Sequence, residues 1–175
     1  MPELVAPTSR LHRSWLEARA EWPPDETLHG HGVDPTRDLT SADGFAAWVA
    51  SLLVQSDESL PLPADRVHAT YWWILEGADY LGSINLRHRL NEYLLRAGGH
   101  IGYGLRPSAR GRGLASWALA TVLPLARARG LDRVLITCQD SNLASALTIE
   151  RNGGVLEDIA KTEFGPTRRY WIALD

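Results

Sequence analysis

The chain has 175 residues, 45% of them hydrophobic and 22% charged, which fits one ordinary globular domain rather than two. Eighteen basic against twenty-one acidic residues leave a net charge of −3, so the broad basic field of a nucleic-acid binder is missing. Cys138 is the only cysteine; no intrachain disulfide can form, in keeping with a reducing cytoplasm.

The N-terminal stretch, "MPELVAPTSRLHRSWLEARAEW", is charged throughout and lacks the apolar core of a signal peptide. Leu11 to Trp22 approximates one amphipathic helical face. Prolines and glycines in "PPDETLHGHGVDPTRDLTS" break it. A second helix is expected through about Val54, capped by Asp43, with Phe45, Trp48, Val49, Leu52 and Leu53 at helical spacing. Ser56 to Arg66 reads as a surface loop. From Ala69 the period changes: "ATYWWILEG", an "AD" turn and "YLGSINLRHRL" form a predicted hairpin. Trp72 and Trp73 point to opposite strand faces, one into the core and the other toward a pocket border. "HIGYGLRP" is a third strand, in which Gly102 and Gly104 suit a bulge or a close ligand.

Next comes "RPSARGRGLAS", three arginines and two glycines between a strand and a helix. Glycine lets backbone approach a ligand, a helix start offers unpaired N–H groups, and arginine alongside points to phosphate as the bound anion. The helix runs to about Arg129, with a kink expected at Pro124 and termination at Gly130. Its apolar run, Gly113 to Ala126, is shorter than the roughly 20 residues that span a bilayer, so no membrane association is expected. "DRVLITCQD" reads as a buried strand, Leu143 to Asn152 as a short helix, and "VLEDIAKTEF", "GPT" and "RRYWIALD" as a closing hairpin.

This order, with three motifs, resembles the GNAT superfamily of acyl-CoA-dependent N-acetyltransferases. Arg110, Gly113 and Ala115 occupy the fixed positions of that family's Arg/Gln-x-x-Gly-x-Gly/Ala pyrophosphate loop; "NLASALTIERNGG" resembles its later helix and "RRYWIAL" its closing strand. The phrases "RHRLNEYLL" and "GGHIGYGLRPS" further resemble a bacterial branch with unassigned substrates. The resemblance implies an α+β fold with a mixed, mostly antiparallel central sheet flanked by helices. It implies a single domain over 1–175, in which 1–68 supplies N-terminal helices and substrate-side loops and 69–175 the acyl-CoA core. Acetyl-CoA is then the donor. Arg110, Gly111, Arg112, Gly113, Leu114, Ala115 and Ser116 would hold its pyrophosphate, Tyr103 and Leu105 its pantetheine arm, and Asn142 and Ser145 its thiol end. The acceptor would be a small-molecule or peptide amine, with homodimerisation compatible with the superfamily.

Other readings of the same residues are weaker. A P-loop needs a lysine after its glycines, and Lys161 is the only lysine. "GRGLAS" approaches a dinucleotide fingerprint, yet an antiparallel hairpin precedes it instead of a βαβ unit. His29 and His31 lack a third ligand nearby, so no metal is expected. Cys138 reads as an inert core thiol rather than a nucleophile. The position where relatives often carry an acid tyrosine is Ile149, which leaves Ser145, Tyr103, Tyr170 or solvent to protonate the leaving thiolate. Glu92 is the first choice of base and His100 the second. A non-catalytic acyl-CoA sensor is the alternative function, and a dinucleotide-dependent oxidoreductase a distant third.

Overall fold

The computed structural model describes residues 1–24 and 26–174. Among them the order is β1 (Pro2–Val5), α1 (His12–Arg19), α2 (Ala42–Val54), β2 (Ala69–Glu76), β3 (Asp79–Arg87), α3 (Glu92–Arg96), β4 (Ile101–Leu105), α4 (Leu114–Ala128), β5 (Arg133–Gln139), α5 (Leu143–Arg151), β6 (Val155–Thr162) and β7 (Gly165–Ala173). Two antiparallel sheets form, in the orders β1-β2-β3-β4 and β5-β7-β6. Helices α1 and α2 cover one face of the first sheet through Trp15, Phe45, Trp48, Trp73 and Tyr80, while α4 and α5 bury Leu119, Val122 and Ile149 against Ile84, Ile101 and Ile136. The expected helix-flanked, mainly antiparallel architecture is what the chain adopts.

Two elements differ from expectation by being present. Strand β1 adds to the edge of β2, and α3 forms where only a connection was read; both are too short for hydrophobic periodicity to register. Ser41, not Asp43, caps α2: its hydroxyl accepts from the Gly44 N–H at 3.1 Å. The hairpin turns at Gly77 and Ala78, so Asp79 already belongs to β3. Pro124 lies within α4. Trp73 is fully buried beneath α2, whereas Trp72, pointing the other way, is partly buried against the α4-side core.

The glycines of β4 have a different cause from the two anticipated. Pairing of β3 with β4 runs without a bulge from Gly82↔Leu105 to Leu86↔Ile101; the irregularity falls between Ile74 and Leu75 of β2 instead. What lies on Gly102 and Gly104 is the chain's own His29–His31 segment. A Cβ on Gly104 would stand 2.7 Å from both the His29 carbonyl and His31 Nε2, and one on Gly30, whose φ is +79°, would stand 2.5 Å from Tyr103 N. Backbone meets backbone there, which only glycine permits. His31 is buried, 2.7 Å from the Tyr80 hydroxyl through Nδ1, and burial lowers its pKa to about 3.

Candidate active site

Strands β4 and β5 come from different sheets and no ladder joins them among the described residues. They are pinned at one end only. His100 N–H donates to the Leu135 carbonyl at 2.7 Å, and the Leu135 N–H donates to His100 Nδ1 at 2.9 Å. Because Nδ1 accepts, the imidazole proton sits on Nε2. Beyond this point β4 has an unpaired edge. Arg87 N–H donates to His100 O and Arg106 N–H to Leu81 O, so even-numbered residues bond to β3 and the alternation of an antiparallel ladder turns the backbone groups of Ile101, Tyr103 and Leu105 away from it. The Leu105 carbonyl accepts from Arg110 Nε at 3.1 Å.

Side chains from three elements converge across the opening. The Tyr103 hydroxyl of β4 lies 2.8 Å from Ser145 Oγ of α5, and Cys138 of β5 is close enough to both to be influenced by each. Burial raises the Tyr103 pKa to about 12 and is also the main cause of the raised Cys138 pKa; that thiol is protonated at neutral pH and a poor nucleophile. Asn142 caps α5, its Oδ1 accepting from Ser145 N–H at 3.1 Å, which holds Ser145 toward Tyr103.

At the far end of β4 the chain makes a short 3-10 turn, Pro107–Ala109, and enters α4 through two glycines, Gly111 at φ +75° and Gly113 at +77°. The backbone N–H groups from Gly111 to Ser116 donate to nothing among the described residues, whereas Trp117 N–H begins the helical ladder on Gly113 O. Six amides at the positive end of a fifteen-residue helix make an anion cradle. The arginines around it face this chain's own carboxylates rather than the cradle. Arg106 pairs with Glu21 at 2.5 Å, Arg112 with Glu76 at 2.7 Å, and Arg110 with Glu26 at 3.6 Å. Glu21 accepts a further bond from Ser108 N–H at 2.9 Å, and this set, led by the Arg106 hydrogen bond, pulls its pKa down to about 2.

The model of the acetyltransferase (GNAT) domain matches residues 10–155. The chain belongs to the GNAT acetyltransferases. No curated protein matches it in sequence. Among solved structures it resembles an acetyltransferase from Salmonella typhimurium that modifies the N-terminal serine of ribosomal protein L7/L12, with 19% identity, TM-score 0.70, and 99% and 95% of the two chains covered. It also resembles the RimL ribosomal L7/L12 α-N-protein acetyltransferase bound to coenzyme A, with 21% identity, TM-score 0.69, and coverage of 99% and 94%. The microcin C7 self-immunity acetyltransferase MccE, in complex with acetyl-CoA and AMP, is 14% identical with a TM-score of 0.69 over 98% and 92%. At these identities the likeness is one of fold.

In this GNAT domain Asn142 and Ser145, expected at the thiol end, are brought together with Tyr103, expected along the pantetheine arm, and the loop residues 110–116 form one continuous turn. The two expected bases are not. His100 sits at the closed end of the opening, 5% exposed, with its pKa lowered to about 4, chiefly by burial. Glu92 is the first residue of α3, exposed, and no hydrogen bond or ion pair among the described residues joins it to Tyr103 or Ser145. Ile149, where relatives often place a tyrosine, is wholly buried in the core. The nearby Tyr170 hydroxyl donates to Glu150 Oε1 at 2.9 Å. Sequence reasoning missed the Glu21 clamp, since its partners stand eighty-five and eighty-seven positions away and carry no local signal.

Proposed function

We propose that this GNAT domain transfers the acetyl group of acetyl-CoA directly to an amine, the pyrophosphate seated on the amides of Gly111 to Ser116. The observation that carries the reading is that run of six unpartnered N–H groups, lying where the unpaired edge of β4 ends. Pantetheine then pairs with the outward backbone groups of Tyr103 and the Leu105 N–H, as a strand would, the Leu105 carbonyl being held by Arg110. The amine nitrogen attacks the thioester carbon, the carbonyl becomes an oxyanion, and the Tyr103 N–H stabilises that charge. Collapse breaks the C–S bond and leaves the amide and a thiolate.

Tyr103 and Ser145 serve the departing sulfur. A phenol with a pKa near 12 keeps its proton at neutral pH and offers a hydrogen bond to the thiolate, Ser145 completing the pair. A thiolate of pKa about 8.5 takes its final proton from solvent. The amine must arrive deprotonated. Glu92, through ordered water, is assigned to accept its proton, and His100 to hold β4 against β5. The acceptors named for the structural relatives, a ribosomal protein N-terminus among them, make a peptide α-amine the first substrate class to test.

The deciding experiment is the thermal midpoint of the wild type and Gly113→Glu, each with and without acetyl-CoA, followed by thiol release with amines. Ligand at about 100 times its dissociation constant stabilises the native state by about 2.7 kcal/mol. The expected result is a shift in the wild type that disappears in a still-folded Gly113→Glu; no shift in the wild type refutes acyl-CoA binding. Binding without thiol release from any amine would instead favour a sensor, the reading that Ile149 in place of a tyrosine supports.

A further inference from the structure

The sheet face that carries α1 and α2 continues past the end of α2 into a cleft of about 440 Å3. Tyr71 of β2 and Arg87 of β3 line it, together with Tyr93 and Asn91 at α3, Gln55 after α2, and Asp65. Tyr71 pairs across the ladder with Asn85, so Tyr71, Asn85 and Arg87 point to the same face.

Arg87 is unlike the arginines around the phosphate cradle. Its Nη1 donates to the carbonyls of Gly98 at 2.8 Å and Gly99 at 3.0 Å, while Nε and Nη2 have no partner and no carboxylate lies within ion-pair distance, among the described residues. Of the other polar groups lining the cleft, Tyr71, Gln55 and Asn91 are engaged, while the Arg66 guanidinium, the Asp65 carboxylate and the Tyr93 hydroxyl have no partner among the described residues. The Tyr71 hydroxyl donates to Gln55 Oε1 at 3.4 Å, and the Asn91 side chain bonds the Asp65 carbonyl and the Leu94 N–H. A cation held partly out of water by two carbonyls, with the rest of its donor fork open to a cavity, presents the geometry that carboxylate and phosphate fit. Tyr71 and Tyr93 give that cavity aromatic walls.

We propose that this cleft binds an organic anion, a carboxylate or phosphate group, through the free donors of Arg87. Resting on the acyl-transfer reading, the anion is the far end of the acceptor. Arg87 lies two positions, about 7 Å along β3, from the buried Asn85, the partner of Gly102 beside the oxyanion-stabilising Tyr103, where the His29–His31 segment packs on Gly102 and the acceptor has to pass beside it. The favoured acceptor therefore separates its amine from an acidic group by several bonds.

The test is an amide 1H–15N titration of the protein saturated with coenzyme A, with succinate in one arm and inorganic phosphate in the other. Saturable shifts are expected at Tyr93, Gly98 and Gly99, weakened about tenfold or more in Arg87→Gln, with the coenzyme A shifts at Gly111 to Ser116 kept in the variant. The stronger arm distinguishes carboxylate from phosphate. Equal affinity in wild type and Arg87→Gln, shifts confined to residues away from the cleft, or none with either anion overturns the proposal. Should Arg87→Gln not fold, the wild-type shift map and Arg87→Lys, which keeps the charge and loses the fork, decide it. Failure of coenzyme A to shift Gly111 to Ser116 counts against the acyl-transfer reading alone.

Discussion

Glu21 and Arg106 stand eighty-five positions apart in sequence and 2.5 Å apart in space, with Ser108 bonded to the same carboxylate through both its N–H and its hydroxyl. The end of the α1 segment thereby fixes the turn that leads into α4 and its unpartnered amides. Glu21→Gln should lower stability by about 1–3 kcal/mol at neutral pH, since it strands a partly buried guanidinium. The folded carboxyl titrates at about 2 against 4.5 in the free group, so its contribution is present above pH 4.5 and is lost as pH falls toward 2. Urea unfolding at pH 6.5 and pH 3 measures this: the gap between wild type and variant must narrow at the lower pH.

His100 predicts a pH dependence of the same sign in a higher window. Its folded pKa, about 4, lies below the 6.5 of an exposed histidine, so the unfolded chain binds the extra proton and this group destabilises the fold progressively as pH drops from 6.5 to 4. His100→Gln keeps an acceptor for the Leu135 N–H while removing that titration. Its stability should vary less than the wild type's across this window. His100→Ala leaves the amide without a partner and should cost about 1–3 kcal/mol at pH 7. An unchanged pH profile in His100→Gln would refute the strut role.

Gly113→Ala separates strain from function. Nothing lies within 4 Å of a Cβ built there, so no clash arises, but φ of +77° is unfavourable for alanine and costs about 1–2 kcal/mol. Chemical denaturation should show that modest loss. Relief of the strain shifts the loop, and acetyl-CoA affinity measured by calorimetry should fall by more than stability does.

Tyr103→Phe and Ser145→Ala remove one hydrogen bond from either side. Each should reduce kcat by about tenfold with KM for acetyl-CoA little changed, and the double variant should lose less than the product of the two, because the hydroxyls act as a pair. A Tyr103 pKa near 12 further predicts that its hydrogen bond to the thiolate persists, with no matching fall in the kcat profile, below about pH 11.

Much of this was legible in sequence because it depends on neighbours. The aromatic and β-branched run of β2, the glycines before α4, and Asn142 three residues ahead of Ser145 each act within one or two turns of chain. What escaped depends on packing between distant segments. Gly102 and Gly104 look like a ligand's approach path, yet His29–His31 occupies the space above them. Arg110 and Arg112 look like phosphate ligands, yet each has a carboxylate beside it that no spacing announces. Strand β1 has four residues and pairs with β2 about seventy positions on, while α3 has five residues, too few for a helical period to show.

The single pin at His100 and Leu135 also sets how the native state opens. With no ladder between β4 and β5 among the described residues, the two sheets cohere through the side-chain core they share with α4 and α5, that pair of hydrogen bonds and the Arg169 bond to the Leu95 carbonyl, so they form natural cooperative units. Amide exchange in the free protein should fall into two sub-global classes, one for each sheet. A bound pantetheine arm bridging the edges would merge them, so that occupancy is reported by strands such as β7 that never meet the ligand.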